Sequence, residues 1–135
     1  RRQALLGMKQ AEQTRRLVSA FSASRVRYLV IKGQAFSTVV YGDWLVRGVA
    51  ADLDLLIMED SVEAAHILLT GVGYSCNTDG LRRPPLRGWR GAYGRWLHYE
   101  RSYSAPGQLT VDVHWRPVPG SAPWTRFESL WERRE

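Results

Sequence analysis

Cysteine is nearly absent from this sequence, and long apolar runs are missing altogether. The one cysteine, Cys76, excludes an internal disulfide and a zinc site built on cysteines. It lies between apolar residues and a turn, with no sign of a nucleophile, so we interpret it as a packing residue. No segment approaches the roughly eighteen apolar residues of a membrane helix, and the start lacks the apolar region of a signal peptide. We therefore expect a cytoplasmic protein that does not use a membrane.

Acidic residues are also in deficit. The chain has 13 of them against 19 lysines and arginines, which gives a formal net charge of +6 and a pI near 10.0. Such an excess suits a polyanionic partner such as a nucleotide or RNA. An arginine-rich composition also arises from a GC-rich genome, so the charge alone does not identify the partner.

The length and apolar content are those of an ordinary globular protein. With 135 residues, 44% of them apolar and 24% charged, the chain is expected to fold as a single domain over 1–135. Its start at Arg1, without an initiator methionine, leads us to expect a fragment of a longer protein.

The first third of the chain alternates helical and extended patterns. Apolar residues at near-helical spacing predict an amphipathic helix over 3–22: Leu5, Met8, Leu17, Val18 and Phe21. A short β-branched run predicts a buried strand over 27–31. Gly33 then opens a predicted helix over 34–41, and a backbone without a side chain at its start lets a phosphate approach closely.

The rest of the chain predicts further strands with one helix among them and one after them. A helix over 60–70 is expected to start at an Asp60-Ser61 cap, and its His66 is interpreted as a packing or surface residue. An extended segment follows at 74–77. Two strands, over 95–104 and 108–115, are expected to pair around a turn at 105–107. A short amphipathic helix is expected at about 124–133.

Two aspartates open a strand-like run over 52–58. Because successive side chains of a strand point to opposite faces, Asp52 and Asp54 share one side, roughly 7 Å apart, while Leu53 and Leu55 point to the core. By the same alternation, Asp112 and His114 share one face of the strand over 108–115. The three aspartates can converge only if the two strands are neighbours in one sheet, and would then offer the carboxylate oxygens that Mg²⁺ prefers.

Two loop features leave alternatives open. Arg47 is either a phosphate contact or a solvated loop arginine. The segment 79–94 combines arginines with Trp89, Pro84 and Pro85. Such a loop either stacks on and neutralises nucleic acid or is a solvated loop with one packed tryptophan.

The ordered set of motifs resembles a known family. It comprises VIKG at 30–33, Tyr41, Arg47, DLDLLI at 52–57, Gly73-Tyr74, His98 and VDVHW at 111–115. These residues resemble the uncharacterised bacterial nucleotidyltransferase family of the DNA polymerase β superfamily. The resemblance covers about 26–115, and the order of the motifs makes it more specific than any single pair of aspartates.

The resemblance implies an α+β fold, with a minimal polymerase β-like mixed sheet flanked by helices. It implies an enzyme that moves a nucleotidyl group from an NTP, with ATP favoured, to a hydroxyl of a small molecule, peptide or protein. Two Mg²⁺ ions, or Mn²⁺ in their place, would be the cofactors. The implied site residues are Asp52, Asp54 and Asp112 as catalytic metal ligands, Lys32, Gly33 and Arg47 at the nucleotide, and His98 and His114 as supporting or packing residues.

The resemblance leaves alternative functions open. Toxin-type relatives with a similar Lys-Gly and Asp-x-Asp pattern modify tRNA, and the positive charge favours that variant. A non-catalytic module that only binds nucleotide is the other alternative. Gln34 and Ala35 follow Gly33, where many superfamily members have a second glycine or a serine, so phosphate binding would depend on Lys32 and backbone amides.

Overall fold

The structure is a computed structural model, and it describes residues 2–32, 40–42, 52–77, 99–116 and 126–134. They form an α+β fold in which helices flank a mixed sheet, so the predicted fold class is confirmed. The arrangement is consistent with a small nucleotidyltransferase fold. In chain order the described elements are α1 (Arg2–Ala23), β1 (Tyr28–Val30), β2 (Asp52–Ile57), a 3-10 turn (Glu59–Ser61), α2 (Val62–Gly71), β3 (Ser75–Cys76), β4 (Glu100–Ser104), β5 (Thr110–His114) and α3 (Phe127–Glu132).

The described strands form one sheet with the order β1-β2-β5-β4-β3. β2 and β5 run parallel at the centre, and every other neighbouring pair is antiparallel. The parallel register places Asp54 opposite Asp112 and Leu55 opposite Val113. Because paired residues of neighbouring strands project to the same side of a sheet, each strand's alternation is matched by that of its neighbour.

The alternation divides the two central strands into an apolar face and a polar face. Leu53, Leu55 and Ile57 of β2 lie in the core with Val111 and Val113 of β5. The same core includes residues from both long helices, from β4 and from the adjoining loops: Leu17, Phe21, Val26, Ala65, Leu69, Tyr74, Tyr103 and Ala105. The polar side chains of β2 and β5 are thereby left on the opposite face.

Helix α1 packs on the sheet through its second half. Leu17 and Phe21 are buried, whereas Leu5 and Met8, which we expected on the same apolar stripe, are 68% and 63% exposed. A helix of 22 residues is about 33 Å long, while a strand of five or six residues spans about 17–20 Å, so the sheet is too short to cover it. The Gln13 side chain ties α1 to the β4–β5 turn, because it bonds both the Gly107 carbonyl and the Leu109 N–H.

The start of α2 differs from its prediction. Ser61 holds the N-cap position, as expected, but the expected side-chain cap is absent, because the Ser61 hydroxyl bonds Asp60 and not a backbone N–H of the helix. A 3-10 turn precedes the helix and provides its entry. His66 is a packing residue as predicted, since its Nδ1 lies 3.2 Å from the buried Tyr103 hydroxyl. Burial raises the pKa of Tyr103 to about 12, so this phenol stays neutral.

The observed strands are shorter than predicted. β1 and β5 lose residues at both ends, and β4 begins at Glu100. The predicted turn at 105–107 is present, with Gly107 at a φ of 69° that a side chain would strain. The 79–94 loop and residues 34–39 of the predicted 34–41 helix lie outside the described residues. In the described part of the chain, no helix is both long and apolar enough to cross a membrane.

One residue of α1, Phe21, is expected to contribute a large share of the free energy of unfolding. Phe21 is fully buried and its ring lies 5.5 Å from that of Tyr28. Phe21→Ala should lower the free energy of unfolding by about 3–5 kcal/mol, because it removes apolar contacts and leaves a cavity. Urea denaturation followed by circular dichroism measures this value. Leu5→Ala, on the exposed part of the same helix, should change it by about 0.5 kcal/mol or less; equal losses in the two variants would contradict this packing.

Candidate functional site

Three aspartates lie on the polar face of the two central strands. Asp52 and Asp54 belong to β2, and Asp112 of β5 is the direct partner of Asp54 in the parallel register. Asp52 is exposed and Asp112 is partly buried, whereas Asp54 is 4% exposed. The two strands are therefore neighbours, as convergence of the aspartates requires, and Asp54 is the carboxylate most removed from water.

Asp54 is held by two basic side chains. Lys32 Nζ donates to its Oδ1 over 2.9 Å, and His114 Nε2 lies 2.9 Å from the same oxygen. A buried carboxylate is costly unless its charge is paired and its lone pairs accept hydrogen bonds. Both contacts meet that need, and neither uses Oδ2 of Asp54.

Lys32 stands where β1 ends beside the carboxylate strand. The N–H of the preceding Ile31 donates to the Asp54 carbonyl over 3.2 Å, which brings the lysine to the polar face. The hydrogen bond to Asp54 raises the pKa of Lys32 above its ordinary value, so the ammonium keeps its charge at neutral pH. Its side chain is 59% exposed. The cation is thus anchored to Asp54 while it remains accessible to an anion from solvent.

His114 lies between two carboxylates. Its Nε2 faces Asp54, and its Nδ1 lies 3.2 Å from Glu100 Oε2, in an orientation that does not meet hydrogen-bond geometry. The ring is 2% exposed and stacks on Tyr99, with 6.1 Å between ring centroids. His114 thus both packs beneath the site and contacts an aspartate, two roles that the resemblance left open.

Glu100 is a site residue that we did not predict. The register pairs it with His114 across β4 and β5, and it also contributes to raising the pKa of Lys32. A signal is present in the sequence, because β4 carries Glu100, Ser102 and Ser104 at alternate positions. Alternation along β4 alone does not indicate which residue of β5 faces Glu100, so the pattern was not sufficient to place this carboxylate beside His114.

The remaining predicted site residues, Gly33, Arg47 and His98, lie outside the described residues. Among the side chains that the structure does describe, no three His, Cys, Asp or Glu groups converge into a metal site. The donor chemistry nevertheless suits a hard divalent cation, since the three aspartates supply oxygens on one sheet face and Asp54 Oδ2 is not used by Lys32 or His114. Such a cation would compete with Lys32 for the charge of Asp54.

One comparison with known proteins identifies the family. The family model described as "Uncharacterised nucleotidyltransferase" matches residues 1–135. No curated protein and no solved structure matches the chain. The match extends well beyond the motif-bearing segment 26–115. The chain belongs to the uncharacterised nucleotidyltransferase family.

Proposed function

We propose that the protein is a Mg²⁺-dependent nucleotidyltransferase that moves a nucleotidyl group from an NTP, ATP by preference, to a hydroxyl acceptor. The observation that carries this proposal is the direct pairing of Asp54 with Asp112, with Asp52 two residues earlier on the same face. Carboxylates placed in this way suit a cation that also binds the triphosphate. The family match supports the reaction class.

The reaction is a substitution at the α-phosphorus of the NTP. The acceptor oxygen forms a bond to that phosphorus, the bond to the bridging oxygen of the pyrophosphate breaks, and pyrophosphate leaves. Asp112 takes the proton of the acceptor hydroxyl as general base. Asp52, Asp54 and Asp112 would hold the metal, which when bound lowers the pKa of the attacking hydroxyl and neutralises charge on the leaving group.

Lys32 and His114 have separate proposed roles around Asp54. In the free protein Lys32 balances the charge of this carboxylate through the 2.9 Å contact. With a metal-bound nucleotide present, the exposed Lys32 ammonium would move from Asp54 to the phosphates and pair with their negative charge. His114 is buried between Asp54 and Glu100, so it would keep the Asp54 carboxylate in place throughout. Gly33 and Arg47 remain proposed contacts of the triphosphate.

The aspartates should separate nucleotide binding from transfer. Asp52→Asn or Asp54→Asn should weaken Mg-ATP binding in calorimetry by about tenfold or more and abolish transfer, because each removes a negative charge that holds the cation of the triphosphate. Asp112→Asn should leave Mg-ATP binding nearly intact, because in this proposal Asp112 serves the acceptor and a second ion and not the cation of the triphosphate. Its transfer rate should fall by at least about 10²-fold, since asparagine accepts no proton.

Asp60→Asn is the matched control for the three aspartate variants. Asp60 is exposed on the 3-10 turn that follows β2, so its loss removes the same charge outside the site. The transfer assay supplies α-labelled NTPs and a cell extract, then measures label in RNA, protein and metabolites. A full transfer rate in Asp112→Asn would show that this aspartate is only structural, and unchanged Mg-ATP binding in Asp54→Asn would overturn the metal assignment.

Lys32→Ala should change metal and nucleotide binding in opposite directions. Removing the ammonium beside Asp54 should strengthen binding of Mg²⁺ or Mn²⁺ alone by about fivefold, since a partly exposed ion pair contributes on the order of 1 kcal/mol. The same variant should bind Mg-ATP more weakly, because it lacks the phosphate contact. Calorimetry with and without ATP measures both values.

Lys9→Ala is the natural control, because Lys9 is exposed on α1 and is the only other lysine in the chain. It should leave both affinities unchanged. If Lys32→Ala weakened metal and nucleotide binding together, the lysine would be a structural partner of Asp54 and not a residue that transfers to the phosphates.

A further inference from the structure

A groove lies where the end of α1, the edge strand β1 and α3 meet. Its volume is about 880 Å³, within the range of roughly 300–1,000 Å³ that is usual for small-ligand sites. Phe21, Val26 and Leu130 provide apolar lining, and backbone and side chains of β1 form one wall. The catalytic proposal assigns no role to this groove.

Among the described residues that line the groove, all the charged ones are arginines. They are Arg25, Arg27, Arg133 and Arg134, and none of the described lining residues is acidic. Arg25, Arg27 and Arg134 take part in no ion pair within the described residues. Elsewhere four described arginines do find acidic partners: Arg15, Arg16, Arg101 and Arg116. At Arg25, Arg27 and Arg134 the groove therefore carries positive charge that no acidic residue among the described ones pairs with.

Aromatic rings hold two of these guanidinium groups in place. Arg27 lies 5.7 Å from the ring centroid of Phe127 and 5.6 Å from that of Trp131, and Arg134 lies 3.8 Å from Trp131. The two rings stack on each other with centroids 5.6 Å apart. Arg27 also donates from Nη2 to Met58 Sδ over 2.8 Å, and Arg134 donates from Nη1 to the Trp131 carbonyl. The ring faces and these two bonds orient the guanidinium groups without cancelling their charge, so the remaining N–H groups can bind phosphate oxygens.

The groove leads to the candidate active site. Ile31 lines it and donates its N–H to the carbonyl of Asp54, and Lys32 follows immediately. β1 is the direct neighbour of the carboxylate strand β2, and neighbouring strands are about 4.8 Å apart. A bound chain that reached the Ile31 end of the groove would therefore place its terminus beside Lys32 and Asp54.

We propose that the groove binds the phosphodiester backbone of a single-stranded polynucleotide, and that the terminal hydroxyl of this strand is the acceptor. The guanidinium groups without ion pairs match a series of phosphates, and the apolar lining suits the faces of bases. The net charge of +6 favours the same class of partner. The second part of this inference rests on the proposed function, because it identifies the acceptor of that reaction.

Fluorescence anisotropy with a labelled single strand of about 12 nucleotides, a length that one binding module covers, tests the groove directly. Strands of RNA and of DNA with the same sequence show which phosphodiester backbone the groove prefers. Polyglutamate serves as a competitor that has negative charge but no phosphates or bases. No NTP or metal is added. The variant Arg25→Gln/Arg134→Gln should bind at least about tenfold more weakly, and its slope of log affinity against log salt should decrease by about 0.7 for each lost phosphate contact.

Arg15→Gln/Arg16→Gln is the matched control, since it removes the same charge from an exposed part of α1. It should lose about twofold or less. Arg27→Lys gives an independent measurement. It preserves the charge but removes the planar guanidinium, with its paired N–H donors and its stacking on the rings, so it should also weaken binding. Equal losses of affinity in the two double variants would show that the groove is not the polynucleotide site. Displacement of the strand by polyglutamate at equal charge concentration would show the same.

Failure of this inference is distinguishable from failure of the proposed function. Asp112→Asn should bind the strand as the wild type does, while it transfers label at least about 10²-fold more slowly. The wild type should transfer label from α-labelled ATP to a strand with a free 3′ hydroxyl and not to one with a 3′ phosphate. Label that enters only other molecules would overturn the polynucleotide as acceptor and leave the nucleotidyltransferase intact.

Discussion

The charge of one buried carboxylate must be balanced, and much of the polar face is arranged around that need. Asp54 is 4% exposed, and Lys32 and His114 contact the same oxygen of it. These side chains come from the end of β1 and from β5, the two strands that flank β2. The pairing of three strands therefore determines whether the carboxylate is neutralised, because a register shift of one residue would turn it into the core. A divalent cation that binds Asp54 must therefore displace the Lys32 ammonium or share the carboxylate with it.

The central strands were predictable because their alternation is strong. Asp52, Leu53, Asp54 and Leu55 alternate without interruption, and so do the residues of VDVH at 111–114. Period-two patterns assign faces reliably when one face is buried, which is why the aspartates and the core leucines separate as expected. The turn between β4 and β5 also followed from its Pro-Gly pair. What alternation alone did not establish was that β2 and β5 are neighbours, since their pairing joins segments that are far apart in the chain.

The features that the sequence did not reveal depend on contacts between distant segments. Nothing local indicates that Asp54 is more buried than Asp112, or that Glu100 lies beside His114, because both facts follow from the position of each strand in the sheet. The exposure of Leu5 depends on the length of the sheet beneath α1, which no helical pattern contains.

The groove between α1, β1 and α3 is the clearest example of a feature that depends on contacts between distant segments. Arg27 meets Phe127 and Trp131 only because the end of the described chain returns to β1. Neither the composition nor any local pattern contains that return, so the clustering of guanidinium groups could not be predicted from the sequence.

The central claim is that the aspartates of β2 and β5 hold a divalent cation together with the nucleotide. Amide NMR spectra with paramagnetic Mn²⁺, recorded without and with ATP, test it most directly, since the ion broadens resonances near its site and needs no known acceptor. The account predicts selective broadening at Asp52, Asp54 and Asp112, stronger with ATP, with little effect at Leu5 on the exposed helix, and its loss in Asp54→Asn. Broadening centred elsewhere, or broadening at β2 that survives Asp54→Asn unchanged, would contradict the account.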